Sequence, residues 1–351
     1  MGSKILVTFD SMKNINTGYY YFGLGLGNAL IDANNDEFDL TFYLHNRTNT
    51  RFNGDVKILR LSKLHPFYFP YRNRFQLVHI TDQECRLRPE WVNAKKIMTI
   101  HDVNRIHLEG HDSPQTRQYL ERLRKFISGV DKLVTISQFV ADDIVKLYPE
   151  AASKISVIYN GAQKPQLVKN YKPAVIPNGD FLFTIGILLP QKGFHYLPNL
   201  LENNNLNLVI AGIETPHKEV ILAEAKKYGC ENRVFITGPV ADVDKAWYYA
   251  NCKAFIFPSS AEGFGLPVIE AMHFGKPVFL AKKTSLPEIG GRAAYYFDSF
   301  EPQHMRDVLA DGLKDFEENN RTNEVLRQTA KFTWENAAKA YLQLYKQTLD
   351  A

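Results

Sequence analysis

The sequence predicts an α/β fold with two doubly wound parallel sheets, and three observations support this. The chain has 351 residues, more than one ordinary core holds and suited to two domains of roughly 150–200 residues each. Short apolar segments alternate with longer amphipathic ones, the pattern of βαβ units. A stretch with three prolines, at 160–178, interrupts the alternation before it resumes, so we expect an interdomain linker there.

The first half predicts a complete α/β unit. Apolar segments indicate strands at 4–9, 39–44, 56–61, 77–80, 96–100, 131–136 and 155–159. Helical periodicity indicates helices at 18–33, 115–129 and 137–148. Ser137 begins the last of these helices and is a candidate N-cap, because its hydroxyl can accept a hydrogen bond from a first-turn amide.

The second half repeats the pattern. We expect strands at 181–186, 206–212, 233–237, 253–258, 276–281 and 293–297, each followed by a helix. One more amphipathic helix, at 333–349, has no strand after it.

Composition excludes several classes of protein. The net charge is +4, from 42 basic and 38 acidic residues, and no basic run is dense enough to predict nucleic-acid binding. The three cysteines form no CxxC pair, which favours a reducing compartment and disfavours structural zinc. No apolar stretch approaches the roughly 20 residues that span a bilayer. Because the start of the sequence has no signal-peptide pattern, we expect a cytoplasmic location.

The segment at 255–281 carries the strongest chemical signal. An apolar strand ends at Pro258, a polar loop leads to Glu262, and a Gly-rich turn precedes a helix that ends near Gly275. Such a turn can bring backbone N–H groups close to an anion. Glu262 is expected in the loop and Glu270 in the opening turns of the helix. Both carboxylates could therefore border a ligand pocket at the carboxyl edge of the sheet.

Residues 262–270 resemble the E-x7-E motif of the retaining family-four glycosyltransferases, which have the GT-B fold. The resemblance implies two Rossmann-like domains facing a central cleft. It implies that Glu262 contacts the transferred sugar and that Glu270 holds the ribose hydroxyls of the nucleotide. It also implies that four intervening backbone amides reach the sugar and the pyrophosphate, those of Gly263, Phe264, Gly265 and Leu266.

The resemblance also assigns roles to larger segments. Residues 1–165 correspond to an N-terminal acceptor-binding domain, which the C-terminal helix at 333–351 completes. Residues 166–332 correspond to the domain that binds the nucleotide-sugar donor.

Three further positions match the family. The segment 183–197 resembles its diphosphate loop, with Gly186 allowing close backbone approach and Lys192 in place of the phosphate-binding lysine. Ile187 stands where many relatives have arginine, so the cationic role rests on Lys192. His101, after a predicted strand, matches a histidine that faces the donor sugar, and it could donate to a sugar hydroxyl or to the leaving oxygen.

The turn at 16–18 (Asn16-Thr17-Gly18) matches the glycine-rich turn beside the diphosphate, although Thr17 replaces one glycine. Simpler alternatives exist for single residues: taken alone, Lys192 suits a surface lysine and His101 a capped loop. The glycines of the 23–27 run fail the spacing of a dinucleotide-binding motif, and we interpret them as close helix packing.

These observations predict an enzyme that transfers a hexose, with retention, from a nucleoside-diphosphate sugar to an acceptor hydroxyl. Surface-polysaccharide or lipopolysaccharide biosynthesis is the pathway suggested by analogy, with a saccharide or lipid-linked saccharide as acceptor. No cofactor and no essential metal are expected, because Lys192 and backbone amides handle the pyrophosphate. A sugar-nucleotide epimerase and a nucleotide-sugar-binding protein without turnover remain alternatives.

A peripheral contact with the inner face of the membrane is also considered. The basic, amphipathic segment at 117–126 could touch an anionic surface, although a solvated helix face is the simpler interpretation.

Overall fold

A computed structural model describes residues 2–15, 17–65 and 67–351. It divides the chain into two compact units. Unit 1 consists of residues up to Ala162 together with those from Phe332 onward, and unit 2 is Gln163–Lys331. The first division lies within the proline-rich stretch, three residues before the sequence-based boundary at 165, and the second lies next to the final helix.

The described residues of unit 1 form a seven-stranded parallel sheet. Its strands are Ser3–Phe9 (β1), Phe38–Leu44 (β2), Lys57–Arg60 (β3), Leu77–Ile80 (β4), Lys95–Ile100 (β5), Lys132–Thr135 (β6) and Ile155–Val157 (β7). Its helices are Gly18–Ala33 (α1), Asn104–Glu109 (α2), Pro114–Ser128 (α3), Gln138–Leu147 (α4) and, from the C-terminus, Trp334–Asp350 (α11). The strand order β3-β2-β1-β4-β5-β6-β7 reverses direction between β1 and β4.

Alternate residues of the central strand face two different cores. Ile5 belongs to the core beneath α1 and α11, whereas its neighbour Leu6 belongs to the core beneath α3 and α4. The C-terminal helix is fixed to the sheet by a buried polar link. His79 on β4 is hydrogen-bonded through Nδ1 to the Tyr345 hydroxyl at 2.6 Å and through Nε2 to Thr99 Oγ1 at 2.8 Å. The final helix is therefore part of the unit 1 core.

Unit 2 contains a second parallel sheet, with six strands among the described residues. They are Phe181–Ile185 (β8), Asn207–Ala211 (β9), Val234–Gly238 (β10), Ala254–Phe257 (β11), Val278–Ala281 (β12) and Tyr295–Phe297 (β13). The helices are Lys218–Lys227 (α5), Asp242–Asn251 (α6), Leu266–Met272 (α7), Leu286–Gly290 (α8), Pro302–Glu318 (α9) and Thr322–Thr329 (α10). The order β10-β9-β8-β11-β12-β13 reverses between β8 and β11.

The predicted α/β fold with two doubly wound, Rossmann-like sheets is confirmed. Ser137 caps α4, since its Oγ accepts from the Val140 amide at 3.3 Å. The packing role of the 23–27 glycines is also confirmed: a Cβ at Gly25 would lie 2.2 Å from the Trp334 ring.

Some elements differ from the prediction. The segment after β8 is a 3-10 helix, Phe194–Leu201, which contains Pro198; a proline ring prevents the regular α-helical hydrogen bond at that point. The short helices α2 and α10 are additions to the predicted set. Other 3-10 turns lie at Asp10–Lys13, Pro89–Trp91, Pro149–Lys154, Pro190–Lys192, Glu231–Arg233 and Gly291–Ala293.

Candidate functional site

The strongest candidate site lies at the carboxyl edge of the unit 2 sheet. Lys192 follows β8 and Glu262 follows β11, the two neighbouring strands at which the strand order reverses. Ligands of open α/β sheets bind in the crevice at such a point. Although 70 residues separate them in sequence, the Lys192 amine and Glu262 Oε1 form an ion pair of 2.5 Å. The fold therefore brings a cation and a carboxylate together at the place expected for a ligand.

Backbone contacts join the two loops that carry this pair. The Gln191 carbonyl accepts from the Ser260 amide at 2.8 Å and from the Ser260 hydroxyl at 3.1 Å. Gly193 has φ +68°, and a Cβ there would lie 2.4 Å from the Pro258 carbonyl oxygen. Only glycine fits this left-handed conformation and this close approach. The loop after β8 is thus held against the loop after β11.

The loop after β12 supports Glu262 from the other side. Thr284 Oγ1 accepts from the Glu262 amide at 3.1 Å. The Ser285 hydroxyl lies 3.0 Å from both the Glu262 and the Phe264 carbonyl oxygens. Hydrogen bonds to the main chain on both sides fix the position from which the Glu262 side chain extends.

Gly186, the other predicted residue of the β8 loop, lies against the adjacent β9 loop. Its amide donates to the Ala211 carbonyl at 2.9 Å. A Cβ at Gly212 would lie only 1.8 Å from the Gly186 carbonyl oxygen. This close backbone packing is a structural reason for glycine at 212.

The predicted amide segment, Gly263–Leu266, forms the turn into α7. Gly263 and Phe264 are buried, Gly265 has φ +116°, and Leu266 is the first residue of the helix. The positive φ at Gly265 requires glycine and turns the chain from the loop into α7. The segment 263–266 therefore joins Glu262 directly to the start of α7.

Glu270, on α7, is held by a second lysine. Its Oε1 accepts from the Lys245 amine at 3.2 Å, and its Oε2 accepts from the Tyr249 hydroxyl at 2.9 Å. Lys245 also approaches Asp242 at 3.2 Å. Both partners of Glu270 lie on α6, and the Lys245 side chain is almost fully buried. The structure thus brings Glu262 and Glu270 into separate ion pairs.

Lys245 and Tyr249 were not identified from the sequence. Their spacing of four residues indicates one face of a helix, but this pattern is shared by many packing faces. The contact with Glu270 depends on how α6 packs against α7, and no local pattern shows that packing.

In unit 1, His101 lies at the carboxyl end of β5 and is buried. Its Nε2 is 2.9 Å from the Thr81 carbonyl oxygen, which can only accept, so Nε2 carries the proton. Burial lowers the pKa of His101 to about 4, so the ring is neutral at pH 7 and its Nδ1 is an acceptor. The rings of Tyr19 and Phe22 pack against it edge-on. A neutral ring with this tautomer accepts from a sugar hydroxyl rather than donating to it.

Two buried aspartates lie at the reversal point of the unit 1 sheet, and sequence analysis missed both. Asp10 follows β1 and Asp82 follows β4. Ser11 Oγ donates to Asp82 Oδ1 at 2.9 Å, and the Arg86 amide donates to Asp10 Oδ2 at 3.1 Å. Burial, and next the charge of Asp10, raises the pKa of Asp82 to about 7. Burial likewise raises the pKa of Asp10.

Gly18 is the first residue of α1, which Thr17 caps by accepting from the Tyr20 amide at 3.4 Å. A Cβ at Gly18 would meet no atom within 4 Å, so the fold leaves open space at this helix start. Asn16, the first residue of the predicted turn, lies outside the described residues.

The described residues offer neither a candidate metal cluster nor a helix that could span a membrane. Within residues 2–15, 17–65 and 67–351, no cluster of three or more His, Cys, Asp or Glu side chains could hold a metal ion. In the same part of the chain, no helix is both long and apolar enough to cross a membrane.

Family models match both units. Residues 169–332 match the model described as glycosyl transferases group 1, and residues 43–163 match the model described as Glycosyltransferase Family 4. Each unit of the chain is therefore similar to a glycosyltransferase family model. The first match contains the Lys192–Glu262 pair and Glu270, and the second contains His101 and Asp82.

Two curated relatives from Escherichia coli illustrate the similarity. The serotype-specific mannosyltransferase WbdA is 27% identical over 251 residues, which cover 66% of this chain and 31% of WbdA. The O-antigen chain mannosyltransferase B is 24% identical over 270 residues, which cover 72% of this chain and 70% of that protein. The chain spans about a third of the length of the first curated relatives it matches.

Among solved structures, Anabaena Alr3699/HepE in complex with UDP and glucose has a TM-score of 0.73 and 16% identity. The match covers 98% of this chain and 99% of HepE. At this identity the likeness supports the GT-B fold.

Proposed function

We propose that this GT-B chain transfers a hexose from a nucleoside-diphosphate sugar to an acceptor hydroxyl with retention of configuration. We further propose that it acts in surface-polysaccharide or lipopolysaccharide biosynthesis. The similarity to the mannosyltransferase WbdA and to O-antigen chain mannosyltransferase B supports this pathway and favours mannose as the sugar. The UDP and glucose bound to HepE support a nucleoside diphosphate as the leaving group.

The observation that carries the proposal is the Lys192–Glu262 pair at the β8/β11 reversal point. A diphosphate needs a cation, and a sugar needs hydrogen-bond acceptors for its hydroxyl groups. In the free protein each side chain neutralises the other. A bound donor offers the Lys192 amine a phosphate oxygen and offers the Glu262 carboxylate a sugar hydroxyl, so both charges gain partners suited to them.

The proposed reaction breaks the bond between the anomeric carbon and the β-phosphate oxygen. The acceptor hydroxyl attacks the same face of the sugar, and its proton passes to the departing phosphate oxygen. The backbone amides of Gly263–Leu266 and the Lys192 amine stabilise the negative charge that develops on the leaving diphosphate. Glu262 stabilises the positive character of the sugar as it leaves the phosphate.

Glu270 is proposed to hold the ribose hydroxyls of the donor. Lys245 and Tyr249 orient its carboxylate, because each donates to a different oxygen of Glu270. A carboxylate oxygen has more than one acceptor direction, so these contacts leave capacity for ribose. Lys245 and Tyr249 are therefore proposed as positioning residues.

Unit 1 is proposed to bind the acceptor, and His101 to accept from a hydroxyl of the donor sugar through Nδ1. The neutral, aromatic-lined environment of His101 suits an uncharged saccharide. Gly18 is proposed to allow the diphosphate near the start of α1, where a side chain is absent.

A nucleotide-sugar panel tests the function. The full chain is first screened by thermal shift, because a ligand that binds only the native state raises the melting temperature. The GDP and UDP derivatives of mannose and glucose come first. The best donor is then incubated with mannose-terminated oligosaccharides, and nucleoside diphosphate release and product anomeric configuration are measured.

Release of nucleoside diphosphate with a product of unchanged anomeric configuration would support the proposal. Conversion of the donor to its epimer without diphosphate release would instead identify an epimerase. A raised melting temperature without any product from the panel would favour a binding protein.

The Lys192 amine and the 263–266 amides supply the proposed charge stabilisation, so we propose that no essential metal takes part. Transfer is then expected to persist in excess EDTA. Complete loss that manganese or magnesium restores would contradict this.

A further inference from the structure

A loop of unit 1 exposes large apolar side chains. It connects β3 to β4, and its described residues, 62–65 and 67–75, are called here the aromatic loop. Leu64 is 70% exposed, Phe67 82% and Tyr68 64%. Single exposed apolar residues are common on protein surfaces, but a contiguous group of large ones marks an interaction surface.

The aromatic loop is anchored from beneath. Phe69 and Phe75 are buried in the core shared with α3 and α4. His65 Nδ1 accepts from the Ser62 amide at 3.2 Å and lies 3.0 Å from the Tyr43 hydroxyl. The other side of the loop therefore has fixed internal partners. Leu64, Phe67 and Tyr68 lie on one turn, because the Leu64 carbonyl accepts from the Phe67 and Tyr68 amides at 2.9 Å. These three exposed residues are called here the tip of the loop.

The charged side chains of the aromatic loop itself have one sign. No acidic residue occurs between Asp55 and Asp82 in the sequence, whereas five basic residues do. Lys57 pairs with Asp39, and Arg60 donates to main-chain carbonyls. The other three lie on the aromatic loop and are exposed: Lys63, Arg72 and Arg74. Arg72 also donates to Asn93 Oδ1 at 3.4 Å, and the Arg74 guanidinium lies over the Tyr71 and Phe75 rings.

We propose that the aromatic loop binds the surface of an anionic phospholipid bilayer. Leu64, Phe67 and Tyr68 would enter the interfacial region, and the three basic side chains would contact lipid phosphates. Apolar and aromatic residues flanked by Lys and Arg are the combination that such interfaces favour. Three large side chains exposed on one turn suit insertion into a fluid lipid surface.

The helix at 117–126, the earlier candidate for membrane contact, is less suited to this role. Its apolar residues Leu123 and Phe126 are buried in the core, and its exposed side chains are polar or charged. The exposed charges are of both signs, as on Arg122 and Glu121. The helix can add attraction to an anionic surface but exposes no large apolar side chain to insert.

Flotation of the full chain with vesicles tests the proposal. The wild type should bind vesicles of phosphatidylcholine and phosphatidylglycerol at low salt and bind pure phosphatidylcholine vesicles at least tenfold more weakly. The variant Leu64→Ser/Phe67→Ser/Tyr68→Ser should lose roughly tenfold or more of the binding to anionic vesicles. Lys63→Gln/Arg72→Gln/Arg74→Gln should lose a similar factor, and high salt should remove the difference between this variant and the wild type.

Leu167→Ser/Val168→Ser is the matched control, because these unit 2 side chains are 51% and 54% exposed. It should bind as the wild type does, and all variants should keep their melting temperatures. Failure of the wild type to bind anionic vesicles would overturn the proposal and favour a protein partner. Equal binding by the wild type and both loop variants would overturn it as well. Lipid binding is measured without any sugar transfer, so this test is independent of the proposed function.

Discussion

The two sheets of this chain reverse their strand order in the same way, yet the side chains at the two reversal points differ in charge. In unit 2, the strands β8 and β11 lead to a lysine and a glutamate that form an ion pair, and a second lysine holds Glu270. In unit 1, the strands β1 and β4 lead to Asp10 and Asp82. Neither aspartate makes a salt bridge with another residue that the structure describes.

This difference bears on which ligand each unit is suited to bind. The unit 2 edge has the ammonium groups that a diphosphate requires. In unit 1, Asp10 and Asp82 offer a phosphate no cation at the reversal point, and burial raises the pKa values of both carboxyl groups. It suits a neutral ligand with hydroxyl groups. This contrast supports the proposed division into donor and acceptor units.

The largest expected effect is on turnover. Glu262→Gln removes the carboxylate that we place at the transferred sugar, and an interaction stronger in the transition state than in the ground state lowers kcat when it is lost. Turnover should fall by roughly 10²-fold or more, while affinity for nucleoside diphosphate stays within about threefold. Steady-state kinetics and calorimetry measure both quantities.

Glu318→Gln, at an exposed ion pair with Lys314, serves as the control for Glu262→Gln. Turnover close to wild type in a folded Glu262→Gln would remove Glu262 from the reaction. Weaker diphosphate binding with unchanged kcat would mean that the roles of Glu262 and Glu270 are exchanged.

The next effect concerns phosphate binding. Lys192→Ala should weaken nucleoside diphosphate binding by about 10- to 100-fold, because a hydrogen bond to a charged group contributes about 1.5–3 kcal/mol. Binding of the bare nucleoside should change little. Calorimetry with both ligands makes the comparison. Equal losses for the two would show that Lys192 does not contact the phosphates.

A smaller effect is expected at Glu270 and its partner. Glu270→Ala should weaken binding of the nucleotide sugar by about tenfold or more. Lys245→Met retains the aliphatic part of the side chain but removes the ammonium, and it should weaken nucleoside binding by roughly threefold to tenfold. For both variants the loss of affinity should appear with the bare nucleoside as well as with the nucleoside diphosphate, whereas Lys192→Ala should affect the diphosphate alone.

Lys227→Met removes a lysine of comparable length from an exposed pair with Glu224 and should leave binding unchanged. If Lys245→Met raised KM and a Lys245→Arg variant restored it, the positioning role would be supported. Unchanged nucleoside affinity in folded Glu270→Ala would exclude Glu270 from the nucleotide site.

The smallest effect is on the pH dependence of stability. The pKa of Asp82 is about 7 in the folded chain and about 4 when unfolded. Between these values the folded state binds more protons, so the free energy of unfolding falls as pH rises. Asp82→Asn should flatten this decline and raise the melting temperature at pH 8 by roughly 2–4 °C.

The control for Asp82→Asn is Asp112→Asn, at an exposed position of the same unit. Thermal unfolding at pH 4 to 8 provides the measurement. If the melting temperatures of Asp82→Asn and the wild type depended on pH in the same way, burial would not raise the pKa of Asp82. The contrast between the two sheet edges would then be weaker than described.

The sequence predicts the strands well because their signal is local. The helix at 18–33 has the predicted bounds, Gly18–Ala33, since its ends coincide with its apolar pattern. The 3-10 form at 194–201 was missed because Pro198 lies within an otherwise helical pattern. At the site, the loop from Glu262 to Leu266 can be identified from its composition alone.

The partners of those site residues could not be predicted. Lys245 meets Glu270 only because α6 packs against α7. Asp10 and Asp82 follow strands that are neighbours in the sheet but distant in sequence. Contacts of this kind depend on strand order and helix packing, which periodicity does not specify. The exposure of Leu64, Phe67 and Tyr68 beside the buried Phe69 and Phe75 likewise depends on the tertiary packing.

A crystal structure of the complex with a nucleoside diphosphate, GDP or UDP, tests the central claim most directly. The account predicts the diphosphate at the carboxyl edge of the unit 2 sheet, with the Lys192 amine about 2.7–2.9 Å from a phosphate oxygen. It also predicts that Lys192 then moves away from Glu262, and that Glu270 accepts from a ribose hydroxyl. Phosphates bound at Asp10 and Asp82 in unit 1, or a Lys192–Glu262 pair left intact with the phosphates elsewhere, would contradict it.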